Sequence, residues 1–250
     1  MTPALVGESI DTPLLGELRY GLELAGLLRD PVFLTARPQR HAPPVLLVPG
    51  FMAGDASLTV LRGWLRRRGS RTSSAGIRLN VDCAERAVGR LEVRLRRLVE
   101  RAGRRAVVIG QSRGGELARV LATRNPDAVS TLVMLGSPVV APLSVGRPVL
   151  SAVRSVARLG DLGIPGVFST RCADGECCAT FREDLLAPLA PDVRAVAVYS
   201  RSDGIVSWQA CLDPGARHVE VDSSHGGMSV HRDIYRLLAE ILAEESAWTG

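Results

Sequence analysis

The chain has 250 residues, enough for one large domain with a substantial core, and its 46% hydrophobic and 23% charged residues are typical of globular proteins. Its formal net charge is +5, but the charge is spread along the chain and only 4% of residues are aromatic, so we expect no nucleic-acid partner. All 31 basic residues are arginine, which excludes mechanisms based on a lysine Schiff base, a P-loop lysine or a lysine general base.

The predicted elements alternate between helices and strands. Residues 1–43 are predicted to be an N-terminal extension, with an amphipathic stretch over 14–28. Apolar runs then predict buried strands, and apolar residues at helical spacing predict helices. In chain order these are a strand at 45–48, helices at 57–68 and 84–102, a strand at 106–109, a helix to about 123, strands at 131–135, 195–199 and 218–221, and a helix at 231–244. This order predicts an α/β fold with a mostly parallel central sheet and helices on both faces.

A candidate nucleophile lies between the strand at 106–109 and the next helix. Gly110-Gln111-Ser112-Arg113-Gly114 matches the pattern G-x-S-x-G, in which a sharp turn exposes a serine hydroxyl at a helix N-terminus. Gly110 and Gly114, two positions before and after Ser112, suit a strained backbone, and the helix N-terminus favours developing negative charge. With this turn in a strand–turn–helix context, the chain resembles the α/β-hydrolase superfamily, and most closely its bacterial lipase and esterase branch. The resemblance covers nearly all of residues 45–244.

An attacking serine needs a base, and the base needs a carboxylate. His225 follows the strand at 218–221 and precedes the last helix, which is where the superfamily has its histidine; His218 and His231 are better explained as surface or capping residues. The superfamily order of serine, acid and histidine indicates Asp203, in the loop after the strand at 195–199. Asp222 is the alternative acid because it lies nearer to His225 in sequence.

An oxyanion hole requires two N–H donors. The resemblance implies the backbone N–H of Arg113, directly after the nucleophile, and a donor from the loop that follows the strand at 45–48. Many relatives have His-Gly there, whereas this chain has Pro49-Gly50. Phe51 is the first candidate for the second N–H donor and Met52 the second.

The resemblance also implies a cap or lid over residues 139–191, within a 1–250 α/β-hydrolase domain; an ordinary packed insertion is the alternative. The apolar residues of this segment that are expected to line an acyl pocket are Val145, Val149, Leu150, Val153, Val156, Leu159 and Leu162.

Five cysteines occur in the chain, three of them in a short cluster. Cys172, Cys177 and Cys178, with Cys211, could nominally bind zinc or form a disulfide, but their spacing is not C-x-x-C and no histidine accompanies them. We therefore expect free thiols, no metal site and no cofactor.

The function that these residues predict is serine-dependent hydrolysis of a carboxylic ester, with a small, lipophilic ester or acyl compound as substrate. An acyltransferase or thioesterase with the same three residues is the alternative, and a non-catalytic binding module is a further one. We see no secretory signal and no apolar run of about 18 residues that could span a bilayer, so a cytoplasmic location is expected.

Overall fold

A computed structural model describes residues 14–247 of the chain. Six strands form one sheet, and every neighbouring pair in it is parallel. The spatial order is β2-β1-β3-β4-β5-β6. The strands are β1 Val45–Val48, β2 Thr72–Ser74, β3 Ala106–Gln111, β4 Val129–Leu135, β5 Arg194–Tyr199 and β6 Arg217–Glu220. The predicted parallel α/β architecture is confirmed.

The helices cover the sheet and the carboxyl ends of its strands. They are α1 Tyr20–Arg29, α2 Pro31–Leu34, α3 Thr59–Arg67, α4 Ala84–Ala102, α5 Arg113–Arg124, α6 Arg147–Asp161, α7 Arg171–Asp174, α8 Ala179–Leu186 and α9 Arg232–Ala247. Short 3₁₀ turns occur at Leu14–Arg19, Asp55–Leu58, Glu176–Cys178, Trp208–Cys211 and Gly226–Val230. Among the helices within residues 14–247, none is long and apolar enough to cross a membrane.

Alternating side chains of the central strands pack into two hydrophobic layers. On β1, Leu46 and Val48 join the layer formed with α4, α5 and α8, while Val45 and Leu47 join the layer formed with α1, α3 and α9. Successive strand side chains point to opposite faces, so a strand covered on both sides needs an unbroken apolar run. This is why four consecutive apolar residues predicted β1 correctly.

The sequence analysis did not predict strand β2. It is a three-residue edge strand, Thr72–Ser74, and its side chains are only half buried. An edge strand with one neighbour needs neither length nor apolar residues on both faces, so it leaves little periodic signal.

Residues of the segment 139–191 pack in three different hydrophobic clusters. Helix α8 belongs to the main core through Phe181 and Leu185, whereas α6 packs in two smaller clusters, one containing Leu150 and the other Ala157. A cap with the boundaries 139–191 stays a prediction. So does the 1–43 extension: its residues 1–13 lie outside the described residues, and its helix α1 packs on the core through Leu27.

Candidate active site

The predicted nucleophile turn joins β3 to α5. Ser112 has φ 53° and ψ −128°, a conformation that residues with a side chain rarely adopt. A side chain on Gly110 would collide with the backbone of Gly114, and one on Gly114 would collide with the backbone of Val48. Both glycines of the motif are therefore required by the turn that exposes Ser112.

His225 and Asp203 come together as a buried pair. The Nδ1 atom of His225 lies 2.7 Å from Oδ2 of Asp203, and the two residues are 7% and 5% exposed. The other oxygen of Asp203 accepts hydrogen bonds of 2.8 Å from the backbone N–H groups of Ile205 and Val206. These bonds fix the carboxylate, and with Nδ1 held by Asp203 the opposite ring nitrogen, Nε2, is left for another partner.

The electrostatics of His225 favour its protonated form. Burial lowers the pKa of His225, but the charge and hydrogen bond of Asp203, together with the charge of Glu17, outweigh burial and raise that pKa above its usual value of 6.5. An imidazolium that forms during a reaction is therefore stabilised here.

Ser112 and His225 line one cavity of about 370 Å³. In the described part of the chain no hydrogen bond joins their side chains. Contacts of this kind are often long in the absence of substrate and shorten when it binds.

The other candidates from the sequence lie elsewhere. Asp222 is exposed, with its carboxylate 3.0 Å from Nη1 of Arg19, and these contacts lower its pKa to about 2. His218 Nε2 lies 2.7 Å from the backbone oxygen of Asp213, and His231 precedes α9 near Asp233. None of these three residues contacts the pair formed by His225 and Asp203.

Two backbone N–H groups beside Ser112 have no hydrogen-bond acceptor within residues 14–247. They belong to Arg113, the first residue of α5, and to Phe51. The amide of Met52, the second candidate, donates instead to the carbonyl of Asn80 at 3.3 Å. Gly50 approaches Ser112 so closely that a Cβ on Gly50 would lie 3.2 Å from the Cβ of Ser112, which brings the loop containing Phe51 beside the nucleophile.

Two carboxylates that the sequence reasoning missed hold the loop of His225. Glu17 accepts hydrogen bonds from the backbone N–H groups of His225 at 2.8 Å and Gly226 at 3.0 Å. Glu23 accepts from the N–H of Ser224 at 2.7 Å and from its hydroxyl at 2.6 Å. The only available signal was the amphipathic stretch that carries both glutamates, because bonds to backbone N–H groups leave no residue signature in the loop.

A second and larger cavity, of about 570 Å³, also opens at Ser112. Of the seven apolar residues predicted to line an acyl pocket, Val145, Val149 and Val153 line this cavity. The prediction is wrong for the other four, Leu150, Val156, Leu159 and Leu162, which do not line this cavity; Leu159 and Leu162 are exposed. The reason is helical phase, since Val149, Val153 and Ala157 repeat every four residues along one face of α6.

The larger cavity contains one buried carboxyl group. Glu116 lies one turn after Ser112 on α5, is 9% exposed, and makes no hydrogen bond with its side chain within the described residues. Burial raises the pKa of Glu116 to about 8, although the positive charge of Arg113 opposes that rise. At neutral pH the group is largely a neutral acid in an otherwise mostly apolar wall.

All five cysteines have free thiols. Cys211, which the sequence reasoning grouped with the cluster, instead packs with Val206 and Leu150. The thiols of Cys83, Cys172, Cys177 and Cys178 lie together, so the fourth member of the cluster is Cys83.

Solved structures with a similar fold include several lipases. The mature Bacillus licheniformis lipase BlEst2 matches with a TM-score of 0.61 at 14% identity, covering 82% of this chain and 94% of that one. MGS-MChE2, an α/β hydrolase from the metagenome of lagoon sediments of Mar Chica, Morocco, matches with a TM-score of 0.52 at 17% identity, over 83% and 93% of the two chains. The chain has the α/β-hydrolase fold. A Paleococcus ferrophilus monoacylglycerol lipase matches with a TM-score of 0.53 at 13% identity, covering 84% of this chain and 97% of that one. No family model and no curated protein sequence matches the chain.

Proposed function

We propose that this chain hydrolyses carboxylic esters through an acyl-enzyme on Ser112. The observation that carries the proposal is the 2.7 Å contact between the side chains of His225 and Asp203, which are 22 positions apart in the sequence. This pair lies beside a serine in a strained turn. Each of the three residues has the surroundings that its role requires. Ser112 lies in a strained turn, His225 has a carboxylate partner, and the carboxylate of Asp203 accepts two hydrogen bonds from backbone N–H groups.

Acylation begins when His225 removes the proton of the Ser112 hydroxyl through Nε2. The oxygen attacks the acyl carbon of the ester, and a tetrahedral intermediate forms. Its negative oxygen accepts hydrogen bonds from the backbone N–H groups of Phe51 and Arg113, which have no other acceptor in the described part of the chain. Asp203 stabilises the imidazolium and keeps its Nδ1 proton in place.

The imidazolium of His225 then gives its proton to the leaving alcohol, and the carbon–oxygen bond breaks. Water, activated by the same histidine, attacks the acyl-enzyme and releases the carboxylic acid. Removing any one of the three groups interrupts both halves of this cycle, because each half uses the same base and the same donors.

The two cavities that meet at Ser112 suggest how the substrate lies. The larger one is lined by Val145, Val149, Val153 and Phe168, which suits a lipophilic acyl chain. The smaller one includes His225, the group that protonates the leaving oxygen, so the alcohol portion belongs there. We therefore propose small, lipophilic esters as substrates.

A fluorophosphonate probe tests the assignment directly. It should label the parent chain and a Ser151→Ala control, whose altered serine is exposed on α6, but not Ser112→Ala. Hydrolysis of p-nitrophenyl butyrate should disappear in parallel with labelling. Undiminished labelling and turnover by folded Ser112→Ala would refute the nucleophile, and labelling without hydrolysis would indicate transfer of the acyl group to an acceptor other than water.

A further inference from the structure

Four cysteine thiols meet beside the N-terminal end of α4. Cys83 is the residue before α4, Cys172 lies in α7, and Cys177 and Cys178 lie in the following 3₁₀ turn. Their four Sγ atoms all lie within 4.8 Å of one another. The fold brings these thiols together although 95 positions separate Cys83 from Cys178.

The distances match one metal ion better than a set of unrelated thiols. The Sγ atoms are 3.4 Å apart for Cys83 and Cys178, 3.7 Å for Cys172 and Cys177, and 3.9 Å for Cys177 and Cys178. Zinc held tetrahedrally, with Zn–S bonds of about 2.3 Å, separates its sulfur ligands by about 3.8 Å. Two of the three measured Sγ–Sγ distances are shorter than this expected separation, and the third is longer.

Two helix N-termini and two arginine side chains lie close to the four thiols. Cys83 and Cys178 each precede the first residue of a helix, α4 and α8, where the helix dipole stabilises a thiolate. The side chains of Arg86 and Arg113 both donate hydrogen bonds to Asp82, the residue before Cys83, so two guanidinium groups lie near the cluster. The helix ends and these cations would offset part of the charge that four thiolates place around a divalent ion.

The geometry points to a tetrahedral Zn²⁺ site formed by Cys83, Cys172, Cys177 and Cys178. Binding releases the four thiol protons to solvent and changes no oxidation state. Soft thiolate ligands select zinc over magnesium or calcium, and a complete set of four leaves no position for water or substrate. The ion is therefore structural, and the site stands independently of the proposed ester hydrolysis.

Such a site would cross-link the wall of the larger cavity to the core. Cys172 lines that cavity, and the loop before Cys83 supplies the carbonyls of Asn80 and Asp82 that accept hydrogen bonds from the Arg113 side chain. Zinc would hold α7 and the following turn against α4. The sequence analysis predicted no metal because the cluster has no C-x-x-C spacing and no histidine, and it grouped Cys211, not Cys83, with the other three cysteines.

The full-length chain, purified under reducing conditions without chelator, provides the test. Elemental analysis and native mass spectrometry should find one zinc per chain. Cys177→Ser alters the ligand that is already exposed and should lose the zinc, whereas Cys211→Ser alters a buried cysteine outside the cluster and should keep it. A parent chain with no zinc and four reactive thiols would overturn the site.

Two further measurements separate the alternatives. Cobalt added to the metal-free parent should give near-ultraviolet sulfur-to-metal absorption and tetrahedral visible bands, which do not depend on a variant folding. Two disulfides, Cys83 to Cys178 and Cys172 to Cys177, would instead give a denatured mass lower by four hydrogen atoms. That mass in protein handled under reducing conditions, or cobalt spectra lacking the sulfur bands, would refute zinc binding.

Discussion

Replacing Glu116 by glutamine should change how the free energy of unfolding depends on pH, because Glu116 is the buried carboxyl group of the larger cavity. The carboxyl has a pKa of about 8 in the folded chain and 4.5 as its reference value, and burial is the main cause. Between these two values the folded protein holds a proton that the unfolded chain has released. Stability contributed by this group is therefore fully present below about pH 4.5 and is lost as the pH rises towards 8.

The magnitude follows from the same two values. At about 1.4 kcal/mol for each pKa unit, the difference between 4.5 and about 8 corresponds to roughly 5 kcal/mol as an upper limit. Glu116→Gln keeps the shape of the side chain and does not ionise. The variant should gain little at pH 5 and most above pH 8, where each 1 kcal/mol raises Tm by about 2–4 °C in a protein of this size.

The assay is thermal unfolding of parent and variant at several pH values between 5 and 9. Glu240→Gln, which changes an exposed glutamate on α9, is the matched control and should give a constant difference from the parent. If the advantage of Glu116→Gln were the same at pH 5 and pH 9, the carboxyl would ionise normally and the reasoning from burial would be refuted.

Three other predictions concern catalysis. Asp203→Asn should reduce kcat by about 10⁴-fold in ester hydrolysis assays, because the imidazolium loses its charged partner; Asp222→Asn should have little effect, and the reverse order would mean that the acid is misassigned. Glu17→Gln should move the acidic limb of the kcat/KM profile to lower pH, because the raised pKa of the histidine loses one negative neighbour; an unmoved limb would make Glu17 purely structural. For the parent, two more acyl carbons should raise kcat/KM about tenfold until the cavity is full. Val153→Asp should flatten that rise and the exposed control Leu159→Asp should not, so equal profiles would exclude α6 as the wall.

The part of the site that the sequence predicts well is the part with a local signature. The first four residues of the strand before Ser112, 106–109, form an unbroken apolar run, and a side chain at either glycine of the turn would collide with the backbone. Chain order then favoured Asp203 over Asp222, although Asp222 is nearer to His225 in sequence. The 2.7 Å contact between Asp203 and His225 agrees with that order, while the catalytic roles of both residues stay predictions.

What the sequence does not predict depends on contacts between distant segments. Glu17 and Glu23 act on backbone N–H groups of the histidine loop, about two hundred positions away, so no residue type in that loop signals them. The side of α6 that faces the cavity depends on how the helix is rotated about its axis. Leu159 has the same apolar character as Val153, yet it points to solvent.

The proposed chemistry is supported by two separate sets of contacts. The base is held from one side, where glutamates of the N-terminal segment bind the backbone around His225. The nucleophile is held from the other, where the side chain of Arg113 donates to the carbonyls of Asn80 and Asp82; the backbone N–H of Arg113, which has no acceptor within residues 14–247, is the proposed donor to the oxyanion. A change in the first set alters the electrostatics of the histidine and should appear as a shifted pH profile. A change in the second set, including loss of the proposed zinc beside Asp82, should leave that profile in place and alter turnover and acyl-chain preference instead, because the histidine keeps all its charged neighbours.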